Sequence, residues 1–376
     1  MTFFSSLPLR RQVASTVRGG ALALSCLLLP LLPAWGQRAG SGVNLKHYQV
    51  VFEDDFRYPS VDSMLSPRTG KWSPEQIWGN AHWEAEAQCQ NYGPESYAYR
   101  PEDIRLLPTP GNPADGMVAL DFTYHDTPLR QITSANGTVT EGEFYKTSGL
   151  LRALYTGDSS CVEPGFRYGI FEIRARLPAT DGLQAAFWLW GGYGISNCEG
   201  SINPSWKAGD TWEIDMFESF MGPPTPEGKP GKRTFFSSLQ RNPFTQHESK
   251  VTHLSWLQDN PATSFHVYTL VWTPTEMTWL IDGQLIQQVR GEQAALPREL
   301  NLMISSHYQW DCQKNQHCPT APDGVTPRNQ HCPSPNDPFL IDYIRVYRPK
   351  PGTLTATGGW PPYLLKQKKR PLFSFP

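Results

Sequence analysis

Residues 168–177 read Tyr-Gly-Ile-Phe-Glu-Ile-Arg-Ala-Arg-Leu, and their alternation decides the fold class. Every second residue is apolar, and charged residues stand between them. One set is predicted to face a core: Phe171, Ile173, Ala175 and Leu177. The other set is predicted to face away from it: Glu172, Arg174 and Arg176. A period of two with one apolar face is typical of a half-buried antiparallel strand.

Similar short runs lie on both sides of this strand. After a turn at 178–182, residues 185–190 continue the alternation, with Phe187 and Leu189 on one face and Ala186, Trp188 and Trp190 on the other. Further strands are predicted at 117–124, 265–273, 277–281, 301–304 and 339–347, with a turn at Asp282-Gly283. Many antiparallel strands joined by long loops indicate an all-β sandwich.

Composition agrees with a loop-rich β protein. The 376 residues include 35 Pro and 13 Trp, and 18% of them are charged, against about 25% in typical domains. This composition excludes coiled coils, long helical bundles and charged disorder. The two ends carry eight of the 33 basic residues but no acidic ones, so the body between them has 25 basic against 35 acidic residues. This acidic body argues against nucleic acid as a partner.

The first 36 residues have the pattern of a secretory signal peptide. Three arginines precede an apolar run at 21–32 that is too short to span a bilayer, and small residues at 34 and 36 suit signal peptidase. We expect a protein that is secreted, periplasmic or on the cell surface, with a lipoprotein anchored through Cys26 as the alternative. No later stretch approaches the about 20 apolar residues of a membrane helix, so no membrane insertion is expected.

The remaining chain is predicted to form one large domain and a tail. β sandwiches often exceed about 200 residues as one unit, so residues 37–349 fit a single catalytic domain. Residues 350–376 carry basic, Pro and aromatic residues and are expected to form a solvated or loosely docked tail.

Six cysteines follow the signal segment: Cys89, Cys161, Cys198, Cys312, Cys318 and Cys332. An even number in an exported chain favours disulfides, whose pairing the sequence leaves open. His307, His317 and His331 lie near the last three cysteines, so a zinc site is the alternative, although the spacing matches no paired zinc knuckle. We therefore expect a loop held by disulfides.

Residues 212–218, Trp-Glu-Ile-Asp-Met-Phe-Glu, place three acids in an apolar run. In a regular strand Glu213 and Asp215 would share a face, and Glu218 would point away from them. One extra residue, inserted as a β-bulge at 216–217, would return Glu218 to the same face. The two glutamate carboxyls would then approach the about 5.5 Å separation of a retaining glycosidase.

Three neighbouring acids suit glycoside hydrolysis because their charges separate their pKa values. One glutamate can attack the sugar as an anion, one can donate a proton, and the aspartate between them can hold the nucleophile. A calcium site is the alternative, although calcium loops are usually rich in Gly, Asn and Asp rather than strand-like. A solvated acidic face fits poorly with the apolar residues of this segment.

Residues 213–218, Glu-Ile-Asp-Met-Phe-Glu, resemble the bulged Glu-x-Asp-x-x-Glu signature of glycoside hydrolase family 16. The similarity continues in family order over roughly residues 48–348. It includes residues 52–56 with 71–72, 78–80, 168–172 with 186–189, 265–272, 279–283 and 341–347.

This resemblance implies both a fold and an activity. The fold is a concanavalin A-like β-jelly-roll of two curved antiparallel sheets with a concave substrate cleft. Glu213 would be the nucleophile, Asp215 its partner and Glu218 the general acid/base of a retaining, double-displacement mechanism. The bulged signature accompanies laminarinases, agarases, carrageenases and porphyranases, which implies an endo-acting hydrolase of β-linked glucan or galactan. No cofactor is expected, apart from a structural calcium to which Asp342 would contribute.

Five residues are predicted to bind the polysaccharide: Asn80, Trp188, Trp190, His307 and Trp310. The tryptophans offer rings for the C–H faces of sugars, and we expect the enzyme to act as a monomer. Leu183-Gln184-Ala185 stands where laminarinases usually carry Trp-Pro, and residues 234–239 lack the usual His, which argues against simple β-1,3-glucan specificity. A lectin-like binding module, a transglycosylase and a zinc-dependent hydrolase are the competing hypotheses.

Overall fold

The computed structural model describes residues 42–363 except 67, 76–80, 84–95, 110–111, 134–138, 155–164, 180–182, 192–211, 222–232, 242–245, 254–259, 297–298, 309–336 and 355–358. The elements in these residues are, in chain order, β1 (Tyr48–Asp54), α1 (Val61–Leu65), β2 (Trp72–Ser73), β3 (Ala81–Trp83), β4 (Ser96–Tyr99), β5 (Ile104–Thr109), β6 (Asn112–Leu120), β7 (Phe122–Thr133), β8 (Val139–Ser148), β9 (Leu150–Ala153), β10 (Gly169–Arg176), β11 (Leu183–Gly191), β12 (Trp212–Met221), β13 (Arg233–Arg241), β14 (Gln246–His253), β15 (His266–Trp272), β16 (Glu276–Ile281), β17 (Gln284–Arg290), β18 (Asn301–Tyr308) and β19 (Phe339–Pro349). Short 3-10 helices occupy Leu45–His47, Pro101–Asp103 and Glu292–Ala294. None of the helices in this described part is long and apolar enough to cross a membrane.

The described strands form three sheets. Sheet A has the order β17-β16-β15-β10-β19-β6-β5, and β1 pairs with β19 beside this path. Sheet B has the order β14-β13-β12-β11-β18-β9-β2, and sheet C has the order β3-β4-β8-β7. The strand pairs of sheets A and B are antiparallel, and β4 and β8 of sheet C run parallel.

Sheets A and B enclose the main apolar core. Phe217 of β12 packs against Tyr268 of β15, with 4.6 Å between the ring centroids. Fully buried rings from both sheets surround this contact, including Phe187, Trp272 and Trp279. The predicted two-sheet antiparallel jelly-roll sandwich is confirmed.

Strand β10 confirms the predicted alternation, but its second face is less exposed than expected. Phe171, Ile173 and Ala175 lie in the main core, whereas Ile170 belongs to a smaller apolar cluster on the other face of the sheet. On the other face, Glu172 is buried and accepts a hydrogen bond from the Tyr343 hydroxyl at 2.9 Å. Arg174 pairs with Asp342 at 2.5 Å. Long polar side chains of the neighbouring strand β19 cover this face, because β10 is a central strand.

The other predicted strands are also present, with one division. The segment predicted at 117–124 is split between β6 and β7 at Asp121, whose N–H bonds to the Asp103 carbonyl and whose carbonyl accepts from the Gly149 N–H. The predicted turn at Asp282-Gly283 joins β16 to β17 with positive φ at both residues, as a tight hairpin turn requires.

Part of the C-terminal segment is more firmly packed than expected. Tyr363 is buried against the outer face of sheet A, where its hydroxyl bonds to Thr278 and Glu276. The Tyr48 hydroxyl donates to the Pro361 carbonyl at 2.6 Å, and its ring contacts Trp360. The aromatic residues of this segment cover an apolar patch that would otherwise face water. The predicted signal segment lies outside the described residues.

Candidate active site

The three acids lie on β12, where the ladders on both sides reveal one extra residue. On one side Phe187 pairs with Phe217, whereas the adjacent Trp188 pairs with Asp215, so Met216 is the inserted residue. On the other side, Asp215 pairs with Ser238 and Glu218 pairs with Phe236, so an advance of three residues on β12 matches an advance of only two on β13. The predicted β-bulge at 216–217 is confirmed.

The bulge puts all three acids on the face of sheet B that points away from the main core. Trp212, Ile214, Met216 and Phe217 belong to the core. The three acids pair with residues of β11 that form a separate cluster with Met303. Glu213 pairs with Trp190, Asp215 with Trp188 and Glu218 with Ala186. We call this surface the acid-bearing face.

Asp215 is held from several directions. Its carboxylate accepts a hydrogen bond from the Ser238 hydroxyl of β13, and both side chains are buried. Its carboxyl also shares a hydrogen bond with Glu213. From sheet A, the Trp279 indole N–H donates to the Asp215 carbonyl at 2.9 Å. The middle acid is thereby fixed at the position where the ladder is interrupted.

Glu218 has a different partner. The side-chain amide of Gln184 on β11 donates to Glu218 Oε1 at 2.7 Å. Gln184 is 4% exposed, so this hydrogen bond is shielded from water. The two glutamates thus lie in unlike surroundings, Glu213 beside a carboxyl group and Glu218 beside an amide.

Both glutamates bind protons more tightly than they would in water. Burial raises the pKa of Glu218 to about 8, with a further contribution from the charge of Asp215, against the lowering effect of the Gln184 hydrogen bond. Burial, followed by the charges of Asp215 and Glu218, raises the pKa of Glu213 well above its ordinary value. At neutral pH the cluster therefore keeps at least one proton, so one carboxyl can donate while another remains ionised.

The two predicted sugar-stacking residues on β11 both lie on the acid-bearing face. Trp188 is 9% exposed, and its indole N–H donates to the Ser305 hydroxyl of β18 at 3.1 Å. Trp190 packs against the same cluster and is partly exposed. Trp190, which is paired with Glu213 in the ladder, is thus the more exposed of the two, and Trp188 is the more buried.

Of the other three predicted binding residues, the structure describes only the backbone of His307. His307 lies on β18 opposite Gln184, which places its backbone next to the strand that contacts Glu218, but its side chain is outside the described part. Asn80 and Trp310 lie outside the described residues, as do the six cysteines of the predicted disulfides and the His317 and His331 of the alternative zinc site.

Asp342, the residue considered for a structural calcium, accepts a hydrogen bond from the Arg174 guanidinium through Oδ2 at 2.5 Å. In the part of the chain that the structure describes, no group of three or more His, Cys, Asp or Glu side chains is placed to hold a metal ion.

Sequence reasoning missed three residues that support the acids: Gln184, Ser238 and Trp279. Gln184 has the same strand parity as Ala186, Trp188 and Trp190, so extending the alternation by one step would have found it. Ser238 is the second of two consecutive serines in β13, so its polarity does not single it out. Trp279 lies 64 residues from Asp215 in the chain, and no local pattern connects them.

A β-sandwich that carries two glutamates with raised pKa values and an intervening aspartate on one strand can act as a glycoside hydrolase. Such enzymes need one carboxylate and one carboxylic acid beside the scissile bond. This is the class that the fold and the site define.

The chain belongs to glycosyl hydrolases family 16, whose family model matches residues 131–320. It is therefore a glycoside hydrolase, an enzyme that hydrolyses O-glycosyl bonds. The resemblance noted in the acid signature and the flanking strands is confirmed.

A beta-glucanase and a kappa-carrageenase are among the known proteins that are similar to this chain. A beta-glucanase of Rhodothermus marinus is 24% identical over 325 residues, which cover 80% of this chain and 86% of that protein. A kappa-carrageenase of Pseudoalteromonas carrageenovora is 29% identical over 196 residues, 47% of this chain and 42% of that protein. The solved structure of the latter enzyme with a kappa-carrageenan oligotetrasaccharide is similar with a TM-score of 0.48 and 17% identity, over 82% of this chain and 96% of that chain.

Proposed function

We propose that the protein is an exported, endo-acting hydrolase of a β-linked glucan or galactan that works by a retaining, double-displacement mechanism. The observation that carries the proposal is the bulge at Met216, which brings Glu213 and Glu218 to one face with Asp215 between them. A binding module would need the aromatic face but not three acids in this order.

In the first step, the proton in the hydrogen bond between Glu213 and Asp215 stays on Asp215, and Glu213 attacks the anomeric carbon of the bound sugar as a carboxylate. A covalent glycosyl-enzyme bond forms as the bond from that carbon to the leaving oxygen breaks. Glu218 donates its proton to the leaving oxygen, and the shortened polysaccharide departs as a neutral alcohol. Asp215, fixed by Ser238, holds Glu213 through their shared hydrogen bond.

In the second step, Glu218 acts as a base. Its carboxylate takes a proton from water while the water oxygen attacks the anomeric carbon, and the bond to Glu213 breaks. Two inversions leave the original anomeric configuration. The raised pKa of Glu218 suits both roles, because a group with a pKa near the working pH gives and takes a proton readily.

The substrate class is proposed from the acid-bearing face and the relatives together. The names of the relatives point to a β-glucan or a carrageenan, which is a sulfated galactan. Trp190 and Trp188 beside the acids suit the C–H faces of either kind of sugar. Each copy carries all three acids on one strand, so we propose that a monomer is sufficient and that no cofactor takes part.

Export is proposed from residues 1–36, whose charged, apolar and small-residue segments follow one another as in a signal peptide. An exported chain with six cysteines in its body is also proposed to contain disulfides. Secretion of the full-length chain, with N-terminal sequencing of the mature product, tests the cleavage site.

The activity is tested by incubating the purified protein with laminarin, lichenan, agarose, porphyran and kappa-carrageenan and measuring reducing ends. We expect release from at least one, with retention of anomeric configuration by proton NMR. Glu213→Gln should remove this activity. Glu172→Gln is the matched control, since it alters a buried glutamate of sheet A, away from the acids. Binding without release by the unmodified protein would identify a carbohydrate-binding module instead.

A further inference from the structure

Gln184 is the polar side chain that reaches Glu218 from the neighbouring strand. It lies on β11, two residues before Ala186, and is paired with Phe220 of β12 and His307 of β18. Its amide nitrogen is 2.7 Å from Glu218 Oε1, and Gln184 is only 4% exposed. A buried amide at this distance has its direction fixed by packing, so it acts on one specific oxygen of the carboxyl group.

The two oxygens of Glu218 are therefore not equivalent. An oxygen that accepts the amide N–H is a poor place for a proton, because the N–H and an O–H would compete for the same region. Oε2 has no such donor from Gln184 and can carry the acidic proton. A carboxylic acid that accepts at one oxygen and donates from the other is oriented as a general acid must be.

We propose that Gln184 is a positioning residue that binds Oε1 of Glu218 and thereby assigns the transferable proton to Oε2. This inference rests on the proposed function, in which Glu218 is the general acid/base. Gln184 does not itself touch the reacting atoms in this scheme. It acts through Glu218, by fixing the rotation of the carboxyl group and by stabilising the anion that remains after proton transfer.

The surroundings of Glu218 give this hydrogen bond its importance. On its own strand, Glu218 faces Asp215, whose negative charge raises the pKa of Glu218. From β11 it faces Gln184, and on β13 it is paired with Phe236, while the uncharged Ser238 binds Asp215. Gln184 thus supplies a donor that favours the ionised form in a group of acids that disfavours it.

The direct test is the titration of Glu218, which needs no substrate. Protein labelled with carbon-13 at the glutamate side-chain carboxyls is titrated by NMR, and Glu218→Gln identifies the Glu218 signal by its loss. Gln184→Met keeps the side-chain length and removes the donor. We expect the midpoint of Glu218 to rise by about one to two pH units, as expected for loss of a hydrogen bond to a charged group.

Gln288→Met is the matched control. The Gln288 amide also donates to a carboxylate, Glu276 at 3.4 Å, but this pair lies on sheet A. We expect the control to leave the Glu218 midpoint unchanged. An unchanged midpoint in Gln184→Met would overturn the proposal. A lowered midpoint would also overturn it, because it would mean that the amide oxygen accepts the proton of Glu218.

Catalysis provides a second, separate measurement. With a polysaccharide that the unmodified enzyme cleaves, the alkaline limb of kcat/KM should move to higher pH in Gln184→Met, and kcat at pH 6 should fall by roughly 10-fold as the acid loses its orientation. An alkaline limb that stays in place would count against the inference. If none of the five polysaccharides is cleaved, the proposed function fails, and the NMR titration still decides whether Gln184 controls the proton of Glu218.

Discussion

Replacing Trp279 with Phe should impair catalysis from the opposite sheet. Trp279 lies on β16 of sheet A, 1% exposed, and its indole N–H crosses the core to the Asp215 carbonyl. That carbonyl immediately precedes Met216, the extra residue of the bulge. Phe keeps an aromatic ring in the core but removes the donor that holds the bulged strand.

The size of the effect follows from the two things that are lost. Loss of the hydrogen bond to a buried carbonyl costs about 1–3 kcal/mol. The smaller ring leaves a space, which adds about 1 kcal/mol for each methyl-sized void. Together they predict a loss of about 2–4 kcal/mol in the free energy of unfolding, or roughly 3–6 °C in Tm for a domain of about 300 residues. A shift of about 1 Å in the acids would lower kcat by roughly 10²-fold.

Trp272→Phe is the control for the loss of stability. Trp272 is fully buried in the same core, and its indole N–H donates to the Ala294 carbonyl at 2.8 Å, outside β12. Thermal denaturation should show similar losses for both variants, whereas kcat, measured well below both Tm values, should fall only for Trp279→Phe. Equal kcat values for the two variants would refute the reasoning and leave Trp279 as a core residue alone.

Three further outcomes are expected. Ser238→Ala removes the hydroxyl that binds Asp215 and should lower kcat by roughly 10-fold with little change in KM, measured by reducing-end release. The hydrolysis rate should fall as pH rises through about 8, because Glu218 loses its proton there. Above that pH the buried charge of Glu218 destabilises the folded state, so Glu218→Gln should resist urea better than the unmodified protein at pH 9 but not at pH 4. Tyr363→Phe removes the hydroxyl bonded to Thr278 and should lower the free energy of unfolding by about 1 kcal/mol without changing kcat, so a change in kcat would connect the C-terminal segment to the site.

The strand of the active site could be predicted in detail because its residues leave few alternatives. A period of two sends Trp212 and Ile214 to the core and Glu213 and Asp215 to the other face. Only an inserted residue lets Phe217 stay in the core while Glu218 joins the other acids. Side-chain polarity alone therefore located the bulge, and the ladder shifts on both sides of β12 confirm it.

Sheet C was not predicted, and its sequence explains why. Its long strands β7 and β8 are rich in Thr and charged residues and lack a sustained apolar alternation. They are held instead by pairing with each other and by a small cluster of Ala98, Ile132 and Phe144. Such a sheet depends on partners that are distant in sequence, so local patterns carry little information about it.

Around the acids as well, some features follow from the local sequence and others depend on residues that are distant in the chain. The faces of β11 and β12 follow from counting residues, but the pairing of Gln184 with Glu218 depends on the register between the two strands. That register is shifted by the bulge itself. A one-residue slip would turn Gln184 away from Glu218. The unpredicted hydrogen bond therefore depends on the same inserted residue that forms the predicted bulge.

This dependence has a consequence for the chemistry and for the choice of substrate. The three acids and their supports, Ser238 and Gln184, all lie on adjacent strands of sheet B, with Trp279 reaching them from sheet A. In the proposed mechanism, proton transfer therefore depends on strand register and core packing. Changes in this framework should impair hydrolysis of every substrate alike, because each substrate needs the same acid and nucleophile. Substrate preference can change separately through the loops that join the strands, since loops tolerate substitution and insertion without altering the register.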